Sequence, residues 1–125
     1  LKEKYPNIIG SVRGIGLLNG IELMNPGENI IKALGTGIPF FKDMGEGILP
    51  GVVLSQLFHK YNILATAGSH AGNLISFNPS LIITKEEVNY LIRSLDDYFS
   101  KGFVGMYTCY GKMKFKDGIK GLYSI

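Results

Sequence analysis

The stretch Gly72-Asn-Leu-Ile-Ser-Phe-Asn-Pro-Ser-Leu-Ile-Ile-Thr-Lys-Glu-Glu-Val88 leaves the backbone few paths. Leu74 to Phe77 is a short run of β-formers bounded by Gly72 and Pro79, and it reads as a strand. Pro79 has no N–H to give to a sheet ladder and biases Asn78 toward an extended backbone, so the strand ends there. Thr84 has the makings of a helix N-cap. Its hydroxyl can accept from the Glu87 N–H while the Glu87 carboxylate reaches back to the Thr84 N–H. Behind it, Val88, Leu91, Ile92, Leu95 and Phe99 share one helical face.

The chain up to that stretch supplies what the strand and helix need. Leu1 to Tyr5 resembles a helix end stopped by Pro6. Ile15 to Met24, with Gly10, Gly14, Gly16 and Gly20 in and before it, reads as a strand with close neighbours. Gly14-x-Gly16 is not a dinucleotide fingerprint, because these glycines precede a strand instead of opening a helix. Residues 25–51 hold three prolines and six glycines; apart from a short helix around Glu28 to Leu34, they read as an irregular surface excursion. Val52 to Tyr61 is a helix by the spacing of Val53, Leu57 and Tyr61, with Asn62 closing it in a left-handed conformation. Ile63 to Thr66 is then a strand, Ala67 to Gly72 a turn, and Leu74 to Phe77 its antiparallel partner. The expected fold is α+β: a small three-stranded, mainly antiparallel sheet with helices packed on one face.

Charge divides the chain. Residues 1–100 carry eight Lys and Arg against nine Asp and Glu, whereas residues 101–125 carry five Lys against one Asp. The net charge of +3 is therefore a property of the tail, which argues against a nucleic-acid-binding domain. We expect two parts, a body over 1–100 and a basic, aromatic tail over 101–125. Lys112-Met-Lys-Phe-Lys116 alternates charged and apolar residues and Asp117-Gly118 is a turn signal, so the tail reads as a hairpin or a loosely attached arm. Cys109 has no intrachain partner, which favours a reducing, cytoplasmic compartment. No apolar run approaches the roughly 20 residues of a membrane span.

Two motifs carry a family resemblance. An extended segment followed by Pro79-Ser-Leu-Ile-Ile-Thr84 and an acidic helix start resembles the C-terminal end of class III aminotransferases, pyridoxal-phosphate enzymes of the ornithine and acetylornithine aminotransferase type. Val12-Arg-Gly-Ile-Gly-Leu-Leu-Asn-Gly-Ile-Glu-Leu23 is similar to that family's Val-Arg-Gly-x-Gly-Leu-x-x-Gly-hydrophobic-Glu-Leu segment. The resemblance covers residues 1–100 and implies the small C-terminal domain of a fold-type I enzyme. It also implies a homodimeric parent, an amine donor and a carbonyl acceptor. The lysine that holds pyridoxal 5'-phosphate, the phosphate cradle and the acid facing the ring nitrogen would lie upstream, in a large domain of the parent chain. No residue here then binds the cofactor or catalyses, and the piece alone is expected to be inert.

What the resemblance leaves to this chain is a wall of the substrate pocket. Many relatives place an arginine in a segment hydrophobic-Arg-hydrophobic-x-Pro, where its fork grips a substrate carboxylate. By register from Phe77-Asn78-Pro79 the matching residue is Ser76, which either lines the pocket without that fork or simply fills a strand; Ser80 likewise replaces a second proline. Asn78 and His70 are the other pocket candidates, His70 lying in the turn near the pocket mouth. Arg13 is a candidate anion binder, although such an arginine more often bonds a nearby carboxylate or carbonyl. His59 reads as a solvent-edge residue, and the two histidines do not have metal-ligand company. A second reading, of a different class, is a non-catalytic binding module whose basic tail docks an acidic partner.

Overall fold

The computed structural model describes residues 1–24, 49–67 and 73–123. Four strands and three helices are present among them: β1 (Ile9–Ile15), β2 (Leu18–Leu23), α1 (Leu49–Tyr61), β3 (Thr66–Ala67), β4 (Leu74–Phe77), α2 (Lys85–Phe99) and α3 (Gly102–Tyr123). The sheet is antiparallel throughout, in the order β1-β2-β4-β3. The α+β class is as expected, with four strands where three were anticipated.

The extra strand is β1, which precedes the segment read as a strand over Ile15 to Met24. That segment supplies β2, the second arm of a hairpin with β1, with Ile15 opposite Leu18 and a two-residue turn between them. Gly16 takes φ of +59° at that turn, a conformation that a residue with Cβ resists, and Asn19 Nδ2 donates to its carbonyl at 2.9 Å. The glycines were read as close-approach positions, and one of them is the turn itself. At the other end of β1, Gly10 interrupts the register, so Ile9 faces Leu23 and Ser11 faces Glu22.

Leu1 to Tyr5 forms a turn closed by the Tyr5 N–H on the Leu1 carbonyl at 2.9 Å, the i to i−4 spacing of a helical turn. Tyr5 then ties it to α2: its hydroxyl donates to Asp96 Oδ1 at 2.7 Å, and Lys4 Nζ meets the same carboxylate. Helix α1 begins at Leu49, earlier than expected, because Pro50 in the first turn has no N–H that the helix would have used. It ends as anticipated, with Asn62 at φ 56°. The short helix around Glu28 to Leu34 and most of the 25–51 excursion fall outside the described residues. Strand β3 is shorter and later than the expected Ile63 to Thr66, but pairs with β4 as foreseen, Thr66 opposite Ser76.

Thr84 caps α2 with both bonds of the capping box, Glu87 N to Thr84 Oγ1 at 3.2 Å and Thr84 N to Glu87 Oε2 at 2.9 Å. Its buried stripe is Ser94, Leu95, Tyr98 and Phe99, with Leu91 half-buried. Val88 and Ile92, assigned to that face from spacing, are 37% and 47% exposed, because the packed stripe is turned toward Tyr98.

Residues 101–125 depart furthest from expectation. Instead of a hairpin, Gly102–Tyr123 is one helix running through Asp117-Gly118. Phe103, Met106, Tyr107 and Tyr110 recur at helical spacing; the first three are buried in the common core and Tyr110 packs against it. Burial of that stripe overrides a turn signal that had no flanking strands to join. The core lies between the helices and the inner sheet face, with Ile9, Ile21, Leu23, Ile75 and Phe77 from the sheet, Val52, Val53 and Leu57 from α1, and Leu95, Tyr98 and Phe99 from α2.

Candidate functional site

Strand alternation decides which side chains the helices leave uncovered. Ile21 and Ile75 are partners on the buried face, so their neighbours Gly20 and Ser76, also partners, look the other way. Arg13 is opposite Gly20 and Thr66 opposite Ser76, so Arg13, Gly20, Ser76 and Thr66 form one row across all four strands on the outer face. The next row is Ser11, Glu22 and Leu74.

Gly20 makes this row concave. A Cβ there would stand 3.1 Å from Leu74 Cδ1, so its absence leaves a trough between Arg13 and Ser76, two strand spacings or about 10 Å apart. The trough belongs to a groove of about 470 Å³ bounded by Arg13, Ile15, Leu18, Gly20, Leu74 and Ser76. Its apolar end is open to solvent, with Ile15 at the hairpin tip 90% exposed.

Arg13 is held in place by its own sheet. Its Nη2 donates to Glu22 Oε2 at 2.9 Å, Ser11 Oγ donates to the same oxygen at 2.7 Å, and Arg13 Nε donates to Ser11 Oγ at 3.3 Å. The Ser11 hydroxyl, then the guanidinium, hold the Glu22 carboxyl below its usual pKa. These bonds use two of the five N–H donors of an arginine. The pair is solvent-exposed, so it orients Arg13 more than it stabilises the fold.

Of the four pocket candidates, the structure brings together Arg13 and Ser76. Asn78 is exposed just beyond the end of β4 and is not among the groove residues. His70 lies outside the described residues. Sequence reasoning missed Ile15, Leu18, Gly20 and Leu74. Counting alternate residues outward from Ser76 would have found Leu74; Gly20 needed the register of β2 on β4, which no local pattern encodes.

Chemically the groove offers polar donors at one end and apolar surface at the other. A guanidinium and a hydroxyl can donate to an anion or a carbonyl, and the apolar end can cover a carbon chain. Among the described residues its lining has no histidine and no lysine, and the neighbouring carboxylate, Glu22, is committed to Ser11 and Arg13. Among the described groove residues, none can form the imine by which an aldehyde cofactor is anchored.

No family model matches the chain. It is 31% identical over 102 residues to alanine–glyoxylate aminotransferase 2 homolog 2, mitochondrial, of Arabidopsis thaliana, a match covering 81% of this chain and 18% of that protein. It is 29% identical over 101 residues to the acetylornithine aminotransferase of Prochlorococcus marinus, covering 81% of this chain and 19% of that one. It is also 31% identical over 101 residues to a (R)-1-hydroxy-2-aminoethylphosphonate ammonia-lyase of Vibrio splendidus, covering 81% and 18%. The chain thus spans less than a fifth of the length of these relatives.

Proposed function

Because this chain belongs with the class III-type aminotransferases, as a C-terminal-type segment of them, we propose that its outer sheet face is one wall of the substrate pocket of a pyridoxal-phosphate-dependent aminotransferase. The observation that carries the reading is the row Arg13, Gly20, Ser76, which opens a groove on the face the helices do not cover. Amino transfer from an amine donor to a carbonyl acceptor is then the work of the whole polypeptide, a homodimer in a reducing, cytoplasmic setting. The cofactor lysine comes from a larger domain, and residues 1–125 alone are inert.

In this reading Ser76 contributes a single hydroxyl where a forked cation would grip a carboxylate, and Arg13 is the cation left in the row. The three N–H donors that have no partner among the described residues suit a substrate oxyanion that arrives from the groove side. One relative is named as an ammonia-lyase, so departure of the amino group is the variant reaction to test beside its transfer.

The test is made on the native gene product. Borohydride reduction followed by intact mass and peptide mapping is expected to find a pyridoxyl-phosphate adduct on a lysine outside residues 1–125. A native protein that carries no adduct overturns the reading. Given an adduct, Arg13→Ala should raise KM for an anionic substrate by about tenfold, the cost of one charge-assisted contact, with kcat little changed.

A further inference from the structure

A second concave surface lies between α1 and α3. It encloses about 400 Å³ and is rimmed by His59 and Lys60 from the last turn of α1 and by Lys112 and Lys116 from α3. Lys112 and Lys116 are four residues apart, so they share a face of their helix. Lysines at this spacing ordinarily form a solvated face, and basic residues at the end of α1 suit its dipole. Those ordinary explanations leave two features unaccounted for.

The first is the floor. Gln56 is 4% exposed, and its Nε2 donates to the Met113 thioether sulfur at 3.5 Å. Ser55 Oγ points at the same sulfur from 4.0 Å. A thioether is a weak acceptor, and a buried amide donor whose partner among the described residues is sulfur sits well short of its hydrogen-bonding capacity. The second is the charge balance. Among the described residues, the carboxylate paired with Lys60 is that of Asp97, which stands 3.8 Å away and already accepts the Tyr61 hydroxyl at 2.6 Å. Lys101 lies beside Lys60, and that neighbouring ammonium lowers the Lys101 pKa. Among the described residues, the groove lining holds three lysines and no carboxylate of its own above the buried Gln56.

We propose that this groove binds a compact oxyanion, a phosphate or a phosphate monoester, seated among Lys60, Lys112 and Lys116 with the Gln56 amide beneath it. An oxyanion offers the strong acceptor that the amide lacks and screens the lysines from one another. The site is independent of the sheet groove, shares no residue with it, and does not rest on the reaction assigned above.

The experiment is calorimetric titration of the purified native protein at low ionic strength, with inorganic phosphate in one arm and phenyl phosphate in the other. Saturable binding at one site is expected, weakening as salt rises; preference for one arm tells a free ion from an esterified one. Lys112→Gln with Lys116→Gln should weaken it at least about tenfold, in line with lost charge-assisted contacts, while Lys85→Gln on α2 should not. Gln56→Glu, which keeps the shape and adds a negative charge, should abolish it. These variants are compared only where their circular dichroism and melting match the parent; the exposed lysine pair keeps the test decisive if the buried one unfolds. No saturable binding in either arm overturns the proposal. So does equal weakening by Lys85→Gln, or a groove that takes an acidic peptide and neither phosphate.

Discussion

Tyr98 is the side chain whose replacement is expected to improve this protein. It is 0% exposed at the centre of the core, and its hydroxyl has no hydrogen-bond partner among the described residues. Burial, the largest cause, holds its phenol far above the usual pKa, so it remains neutral at any ordinary pH. A hydroxyl buried without a partner costs about 1–3 kcal/mol of desolvation. Tyr98→Phe removes that penalty and leaves the space of one oxygen, roughly 10–15 Å³, which at about 24 cal/mol per Å³ returns only ~0.3 kcal/mol. The ring keeps its contacts with Tyr61 and Phe99. The net expectation is a gain of about 1–2 kcal/mol, read in urea unfolding as a midpoint higher by about 1 M at unchanged slope. Tyr61→Phe is the contrast, since the Tyr61 hydroxyl donates to Asp97 at 2.6 Å, and it should lower the midpoint. A lower midpoint for Tyr98→Phe would refute the reasoning, because the hydroxyl would then have a partner that sustains it.

Three further expectations follow from local features. Thr84→Ala deletes the acceptor of the capping box and should cost about 1 kcal/mol in the same assay, with little change in the core. Asp96 is held below its ordinary value of 3.8 first by Lys4 and then by Tyr5. A depressed carboxyl stabilises above its unfolded pKa and loses that contribution as pH falls through the folded one, so melting temperature should decline below about pH 4. Lys4→Gln combined with Tyr5→Phe should flatten that decline; an unchanged acid limb would dismiss the clasp as a contributor. Gly20→Leu fills the trough between Arg13 and Ser76, and in the intact enzyme it should raise KM by about tenfold or more while far-ultraviolet dichroism stays the same; unaltered kinetics would remove the groove from the substrate path.

Features written in a few adjacent residues were legible in the sequence. The Thr84–Glu87 box, the Asn62 closure and the β3–β4 pairing each depend on local chemistry, and each is present. The expectations that failed needed information from afar. Asp117-Gly118 is a turn only where strands flank it, and the burial of Phe103, Met106 and Tyr107 against α1 and α2 made that segment helical. Gly16 and Gly20 look alike in sequence, yet one reverses the chain and the other opens a groove, because β2 pairs with two strands at once. Arg13 and Ser76 could each be suspected alone. Their shared row became visible only once the register joined positions far apart in the chain.

That central placement of β2 also sets the order in which the domain can assemble. The β1–β2 hairpin closes through a two-residue turn and can form within microseconds, but it exposes Ile9, Ile21 and Leu23 until something covers them. The pairing of Asn19 with Phe77 and the clasp of Tyr5 on Asp96 both wait for the second half of the chain. On a ribosome adding about 5–20 residues per second, that wait lasts seconds. Pairing of β2 with β4 is thus the long-range contact that has to close before the apolar face of the hairpin is covered.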